Sequence, residues 1–131
     1  ACCLDSAKSV AEVAAFPGKV TIVNDKLRHH DTPDFAASSH LAGMLIDSRV
    51  YDSKKTAILN IHPGENKDNI ETICEDLDLN LTFATKGDLV PHQGIDVILD
   101  EGAFGWEPTL YILAHNPLEL VDRMHKIVSL I

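Results

Sequence analysis

The sequence predicts an α/β domain in which helices pack on a mixed sheet. Two segments, Thr56 to Ile61 (TAILNI) and Ile95 to Leu99 (IDVIL), are nearly continuous apolar runs, the pattern of strands buried on both faces. The last helix carries a strong start signal: Asn116 at the N-cap, Pro117 at the first helical position and Glu119 completing a capping-box-like pattern. Strands alternate with helices early in the chain and cluster late, which argues against a purely parallel sheet.

The elements follow in order. Asp5 to Phe16 reads as a helix capped by Asp5 or Ser6, with Val10, Val13 and Ala14 on one face and Pro17-Gly18 ending it. Lys19 to Asn24 is a β-branched strand, and a turn at Asn24-Asp25 lets Leu27 to His30 pair back. Asp31 to Phe35 is a loop around Pro33, followed by a helix from Ala36 to Asp47 with Leu41, Met44 and Leu45 inward. Glu65 to Leu77 is a helix with Ile70, Ile73, Cys74 and Leu77 on one side. Leu79 to Ala84 is a strand, Thr85 to Gly94 a loop containing Gly87 and Pro91, and Asp100 to Pro108 a glycine-containing loop. Thr109 to Ala114 is the last strand, and Leu118, Val121, Met124, Val128 and Ile131 share one face of the final helix.

The 131 residues make one domain, with 45% hydrophobic residues and enough length for a core without staples. A formal net charge of −9 argues against direct nucleic-acid binding and against an anionic membrane surface. Cys2, Cys3 and Cys74 are an odd set with no CxxC pair, so neither a disulfide framework nor a cysteine zinc site is expected, and a cytoplasmic, reducing location follows. No apolar run reaches the length of a membrane helix. The start at Ala1 rather than Met reads as an excised piece, with the domain cut at its N-terminal edge.

Three segments can carry chemistry. Asp100-Glu101-Gly102-Ala103-Phe104-Gly105-Trp106-Glu107-Pro108 follows a buried strand, so it lies at a strand's carboxyl end, a common place for ligands in α/β proteins. Its carboxylates, Asp100, Glu101 and Glu107, suit a hard cation or an amine, Gly102 and Gly105 allow close backbone approach, and Trp106 can wall a flat ring. The alternative is a solvated turn with Trp106 plugged onto the core. Ser38, Ser39 and His40 stand at a helix start, where free N–H groups suit phosphate and His40 can donate a proton to a leaving phosphate. Equally, the serines can simply cap the helix. His62-Pro63-Gly64-Glu65-Asn66 runs from strand to helix and can cradle an anion, but it lacks the Gly-Lys-Ser/Thr of a P-loop. His29 and His30 are neighbours on a strand and point to opposite faces, so no metal site is assigned.

Taken in order, several segments resemble one family. Val13-Ala14-Ala15-Phe16-Pro17-Gly18-Lys19-Val20, Phe35-Ala36-Ala37-Ser38-Ser39-His40-Leu41-Ala42, Asn60-Ile61, Asp96 through Pro108, and Asn116-Pro117 with the last helix are similar to the successive motifs of the ThiN-type thiamine-phosphate synthase domain. That domain is often fused behind a hydroxymethylpyrimidine phosphate kinase. The resemblance implies a three-layer α/β/α fold with a mixed sheet, like class II aldolases. It implies a reaction joining a pyrimidine pyrophosphate to a thiazole phosphate with release of pyrophosphate, with Mg2+ as cofactor, or alternatively a non-catalytic sensor of thiamine phosphate. The implied partner is a small phosphorylated ligand, with a homodimer left open. Pyrophosphate departure needs cations and N–H dipoles aimed at it. The family's Arg and His for this task fall on Lys19 and His40, while Asn60, His62 and the loop residues fall on its ligand-binding positions.

The chain departs from the family where charge matters. A family Arg is Asp34 here, another Ser39, another His62 and another Glu101, while a family Lys is Trp106. Each change removes a positive charge, and the stretch Thr85 to Gly94 is shorter than the family's. These losses keep the sensor reading open beside the enzyme reading. A third reading, a ligand that is not a phosphate, also stands on Glu101 and Glu107.

Overall fold

A computed structural model describes residues 1–65, 67–89 and 93–131. Asn66, Val90, Pro91 and His92, which fall in the expected anion turn and the expected loop at 85–94, lie outside the described residues.

The chain opens with β1 (Cys2–Cys3), a 3-10 turn at Val10–Glu12 and β2 (Val13–Ala15). A hairpin of β3 (Thr21–Val23) and β4 (Lys26–Arg28) follows, then β5 (Asp34–Phe35) and α1 (Ser39–Arg49). The rest runs β6 (Ala57–Ile61), a 3-10 turn leading into α2 (Ile70–Asp76), β7 (Leu81–Thr85), β8 (Asp88–Leu89), β9 (Val97–Asp100), β10 (Thr109–Ala114) and α3 (Pro117–Leu130). Eight strands form one sheet in the order β5-β2-β1-β6-β10-β9-β7-β8, and β3-β4 stands apart as a two-stranded ribbon. β7 and β9 run parallel, while the other pairs of the large sheet are antiparallel. The sheet is mixed, as the sequence predicts.

The period of two along each strand divides the core. Val13, Ile58, Ile98, Tyr111 and Leu113 face α1 and pack on its Ala42, Met44 and Leu45. Ala57, Val97, Leu99, Leu110, Ile112 and Ala114 face the other way, against Ile70, Ile73 and Cys74 of α2 and Leu120 and Ile127 of α3. The apolar run of β10 is thus shared between two cores, and the molecule is a three-layer α/β/α sandwich. Each fully buried Leu, Ile or Val contributes roughly 1.5–3 kcal/mol relative to exposure.

Three expectations need correction. The helix predicted over 5–16 is coil, a short 3-10 turn and strand β2. Its backbone groups are bonded elsewhere: Arg49 donates to the Asp5 carbonyl, and the Glu12 carboxylate accepts from the N–H groups of Lys8 and Ser9. β2 then pairs with β1, Cys2 opposite Ala14 and Cys3 opposite Val13. Secondly, two predicted loops hold edge strands: the one around Pro33 ends in β5, which pairs with β2, and the one over 85–94 contains β8, which pairs with β7. Thirdly, the inward face of α3 is not the one the spacing suggested. Leu120 and Ile127 are buried with Met124 and Ile131 packed beside them, whereas Leu118 is 85% exposed and Val121 and Val128 are about half exposed. The predicted start of α3 is confirmed, with Asn116 Oδ1 accepting from the Glu119 N–H at 2.9 Å. The Glu119 carboxylate reaches back to the His115 N–H.

At the end of the sheet where β9 begins, Asp96 binds together a buried charge network. Its Oδ1 accepts from Lys55 Nζ at 2.6 Å and Arg123 at 3.0 Å, and its Oδ2 accepts from the Asn80 N–H. Arg123 also pairs with Glu119 and donates to the Leu113 carbonyl, so α3 is pinned to β10 by its charged residues as well as its apolar ones.

Candidate functional site

The candidate site forms at the carboxyl end of β9, the end opposite the Asp96 network. Asp100 is the last residue of β9 and is completely buried. Such a carboxylate needs compensating donors. Among the described residues it finds three: the Gly87 N–H at 2.7 Å, Trp106 Nε1 at 3.0 Å and the Gly102 N–H at 3.0 Å. One side chain therefore ties together the β7–β8 turn, the start of the loop and its tryptophan.

The loop itself is a tight reversal. Ala103 and Trp106 exchange both backbone hydrogen bonds, and Phe104-Gly105 form its tip, with φ +76° at Gly105. Gly102 is required by crowding, since a Cβ there would stand 2.7 Å from the Trp106 carbonyl oxygen and its φ is +79°. Phe104 is fully exposed at the tip.

His40 lies in the first turn of α1, one residue after Ser39. Its Nε2 lies 2.8 Å from the Tyr111 hydroxyl. Its ring meets Trp106 edge-on, with centroids 6.1 Å apart and an interplanar angle of 72°. Burial first, and the Asp100 charge second, push the Tyr111 hydroxyl pKa up, so its proton is held firmly. Ser38 occupies the N-cap position of α1 but makes no side-chain capping hydrogen bond, so the hydroxyl is not committed to the helix end. Ser39 is exposed.

Lys19 precedes β3 and reaches the same loop. Its Nζ lies 4.0 Å from the Glu107 carboxylate, with both side chains more than four-fifths exposed. Lys19 just before β3, the His40 helix start and the Asp100–Pro108 loop are thus neighbours, through the Lys19–Glu107 and His40–Trp106 contacts. Asn60 is exposed on β6 directly opposite Tyr111, on the face toward α1. Glu101 is exposed beside the buried Asp100. His62 follows the end of β6 and accepts from the Gly64 N–H at 3.0 Å; this closes a local turn rather than joining the His40 cluster.

Two members of the cluster are absent from the sequence-based set. Tyr111 sits in an apolar strand, and its signal is chemical: a buried phenol needs a hydrogen-bond partner. Gly87 follows Lys86 in a two-residue hairpin turn in which both residues have positive φ, 51° and 78°. A lysine-glycine pair between two strands was the available signal. Among the described residues, no group of three or more His, Cys, Asp or Glu side chains is arranged to hold a metal ion.

Fold and site together define a three-layer α/β domain whose polar side chains gather where a helix start meets the carboxyl end of a central strand. A family model described as thiamine-phosphate synthase ThiN matches residues 1–126, and the chain belongs to that family. The thiamine-phosphate synthase ThiN of Methanothermobacter thermautotrophicus is 26% identical over 138 residues, spanning 89% of this chain and 71% of that protein. The crystal structure of the C-terminal domain of protein MJ0236 superposes with a TM-score of 0.79 at 20% identity, covering 98% of this chain and 78% of the other. That of the C-terminal domain of phosphomethylpyrimidine kinase superposes with a TM-score of 0.79 at 17% identity, covering 92% and 77%. The resemblance read from the motifs is borne out in family and in fold. No helix among the described residues is long and apolar enough to cross a membrane.

Proposed function

We propose that this chain is a divergent thiamine-phosphate synthase domain that joins a hydroxymethylpyrimidine pyrophosphate to a thiazole phosphate and releases pyrophosphate. The observation that carries the reading is the meeting of Lys19, His40 and the Asp100–Pro108 loop through the Lys19–Glu107 and His40–Trp106 contacts. As the bond from the pyrimidine methylene to pyrophosphate breaks, negative charge grows on the leaving oxygens. Lys19 supplies a cation there, the start of α1 supplies N–H groups, and His40 donates a hydrogen bond. Trp106, fixed by Asp100, offers an aromatic wall to a flat ring.

A second reading has its own support. The position of a family lysine is taken by Trp106, whose N–H is committed to Asp100, and the nearby cation Lys19 faces Glu107. Fewer free cations suit a domain that binds thiamine phosphate or a precursor without turnover. Calorimetry with thiamine phosphate and with pyrophosphate, followed by a synthase assay, separates the two. Product formation that His40→Ala abolishes supports the enzyme. Binding without product supports the sensor, and binding of neither ligand sinks both.

A further inference from the structure

We infer that Tyr111 is a positioning residue that fixes the tautomer of His40, donating its hydroxyl proton to Nε2 and leaving the ring proton on Nδ1. The contact is 2.8 Å long and links β10 to the first turn of α1, 71 residues apart in the chain. Its direction follows from the relative strengths of the two groups. A phenol is a better donor than a neutral imidazole N–H, and an imidazole nitrogen is a far better acceptor than a phenolic oxygen. The neutral pair is therefore bonded from Tyr111 to His40.

The surroundings act the same way. Tyr111 is 2% exposed, so it keeps a partner inside the protein. Burial and the negative charge of Asp100 oppose loss of its proton, against a weaker opposing hydrogen bond involving Thr109. The Asp100 carboxylate is itself engaged by Gly87, Gly102 and Trp106. The ring is held sideways as well, by Trp106 at its edge and by the Gly87 backbone, whose missing Cβ leaves the space that Cε1 occupies.

The consequence concerns the reading above and rests on it. Isolated histidine favours the proton on Nε2. With Nε2 acting as acceptor, His40 presents Nδ1–H as a donor while still neutral. A departing phosphate then meets a hydrogen-bond donor without His40 having to be protonated first.

The test is a long-range proton–nitrogen correlation spectrum of the uniformly labelled chain at about pH 8.5, about two units above the ordinary imidazole pKa. His40→Gln identifies the His40 signals by their disappearance. The expected result is the Nδ1–H tautomer in the wild type and a shift toward Nε2–H in Tyr111→Phe. An Nε2–H tautomer in the wild type overturns the inference, as does a tautomer that Tyr111→Phe leaves unchanged. Should Tyr111→Phe fail to fold, the wild-type spectrum alone still decides. If the wild type shows Nδ1–H but binds neither pyrophosphate nor thiamine phosphate, the functional reading fails and this one stands.

Discussion

Gly87 lies so close to His40 that a Cβ built on the glycine would stand 2.9 Å from His40 Cε1 and 3.4 Å from Trp106 Cζ2. The glycine also has φ +78° and donates its N–H to Asp100. A hairpin turn on one side of the sheet thus shapes the seat of a histidine on the first turn of a helix.

Gly87→Ala is expected to move the His40 ring and to strain the turn. A left-handed position costs about 1 kcal/mol for a residue with a Cβ. Thermal unfolding checks the stability loss. The His40 ring signals should shift more than those of the exposed His125. An unchanged His40 environment would show that the ring can retreat freely.

Asp100→Asn is expected to destabilise the protein by about 3 kcal/mol. The amide keeps one acceptor oxygen and turns an NH2 toward N–H donors, which leaves buried donors unsatisfied. Urea denaturation followed by Trp106 fluorescence measures both the loss and the release of the indole. A cost under about 1 kcal/mol would mean that the three donors find other partners.

Stability should fall at acid pH through Asp96. Burial opposes its ionisation, but the hydrogen bonds from Lys55 and the Asn80 N–H, with the charges of Lys55 and Arg123, outweigh it and hold the carboxyl below its usual range. A depressed folded pKa gives stability that is present above the unfolded value of about 3.9 and lost as pH falls through the folded one. Asp96→Asn should cost about 3 kcal/mol at neutral pH, because Lys55 is left buried without its anion. The same variant should flatten the acid limb of a stability-against-pH curve. A limb of unchanged slope would place acid sensitivity elsewhere.

Cys74 should resist alkylation in the folded protein. Burial first, and the Asp96 charge second, push its thiol up to about 11, so thiolate is scarce at neutral pH. Cys2 and Cys3 are only partly covered. Iodoacetamide followed by peptide mass mapping should find Cys74 unmodified until urea is added. Early modification of Cys74 would show that α2 opens readily.

Much of this was legible in the residues. TAILNI and TLYILA are strands because a run with apolar groups on both sides can satisfy two cores at once, and that is a local property. Asn116-Pro117 with Glu119 starts a helix through bonds within one turn. The ordered motifs from Val13 to Pro117 carried the family. What failed were segments whose conformation is chosen by distant partners. Residues 5–16 have helical spacing, yet Arg49 and β1 take their backbone groups. In α3 the spacing fits two apolar stripes, and only the sheet decides that Leu120 and Ile127 go in while Leu118 stays out.

The amino-acid sequence by itself determined the fold class, the family and the places where polar groups interrupt apolar runs, because periodicity and capping act over a few residues. The tertiary structure alone decided that Asp100 is a buried hub, that Gly87 stands against His40 and that Tyr111 reaches it across the core. Those relations join residues far apart in the chain, and their energies come from burial and hydrogen bonding that exist only once the sheet has closed over them.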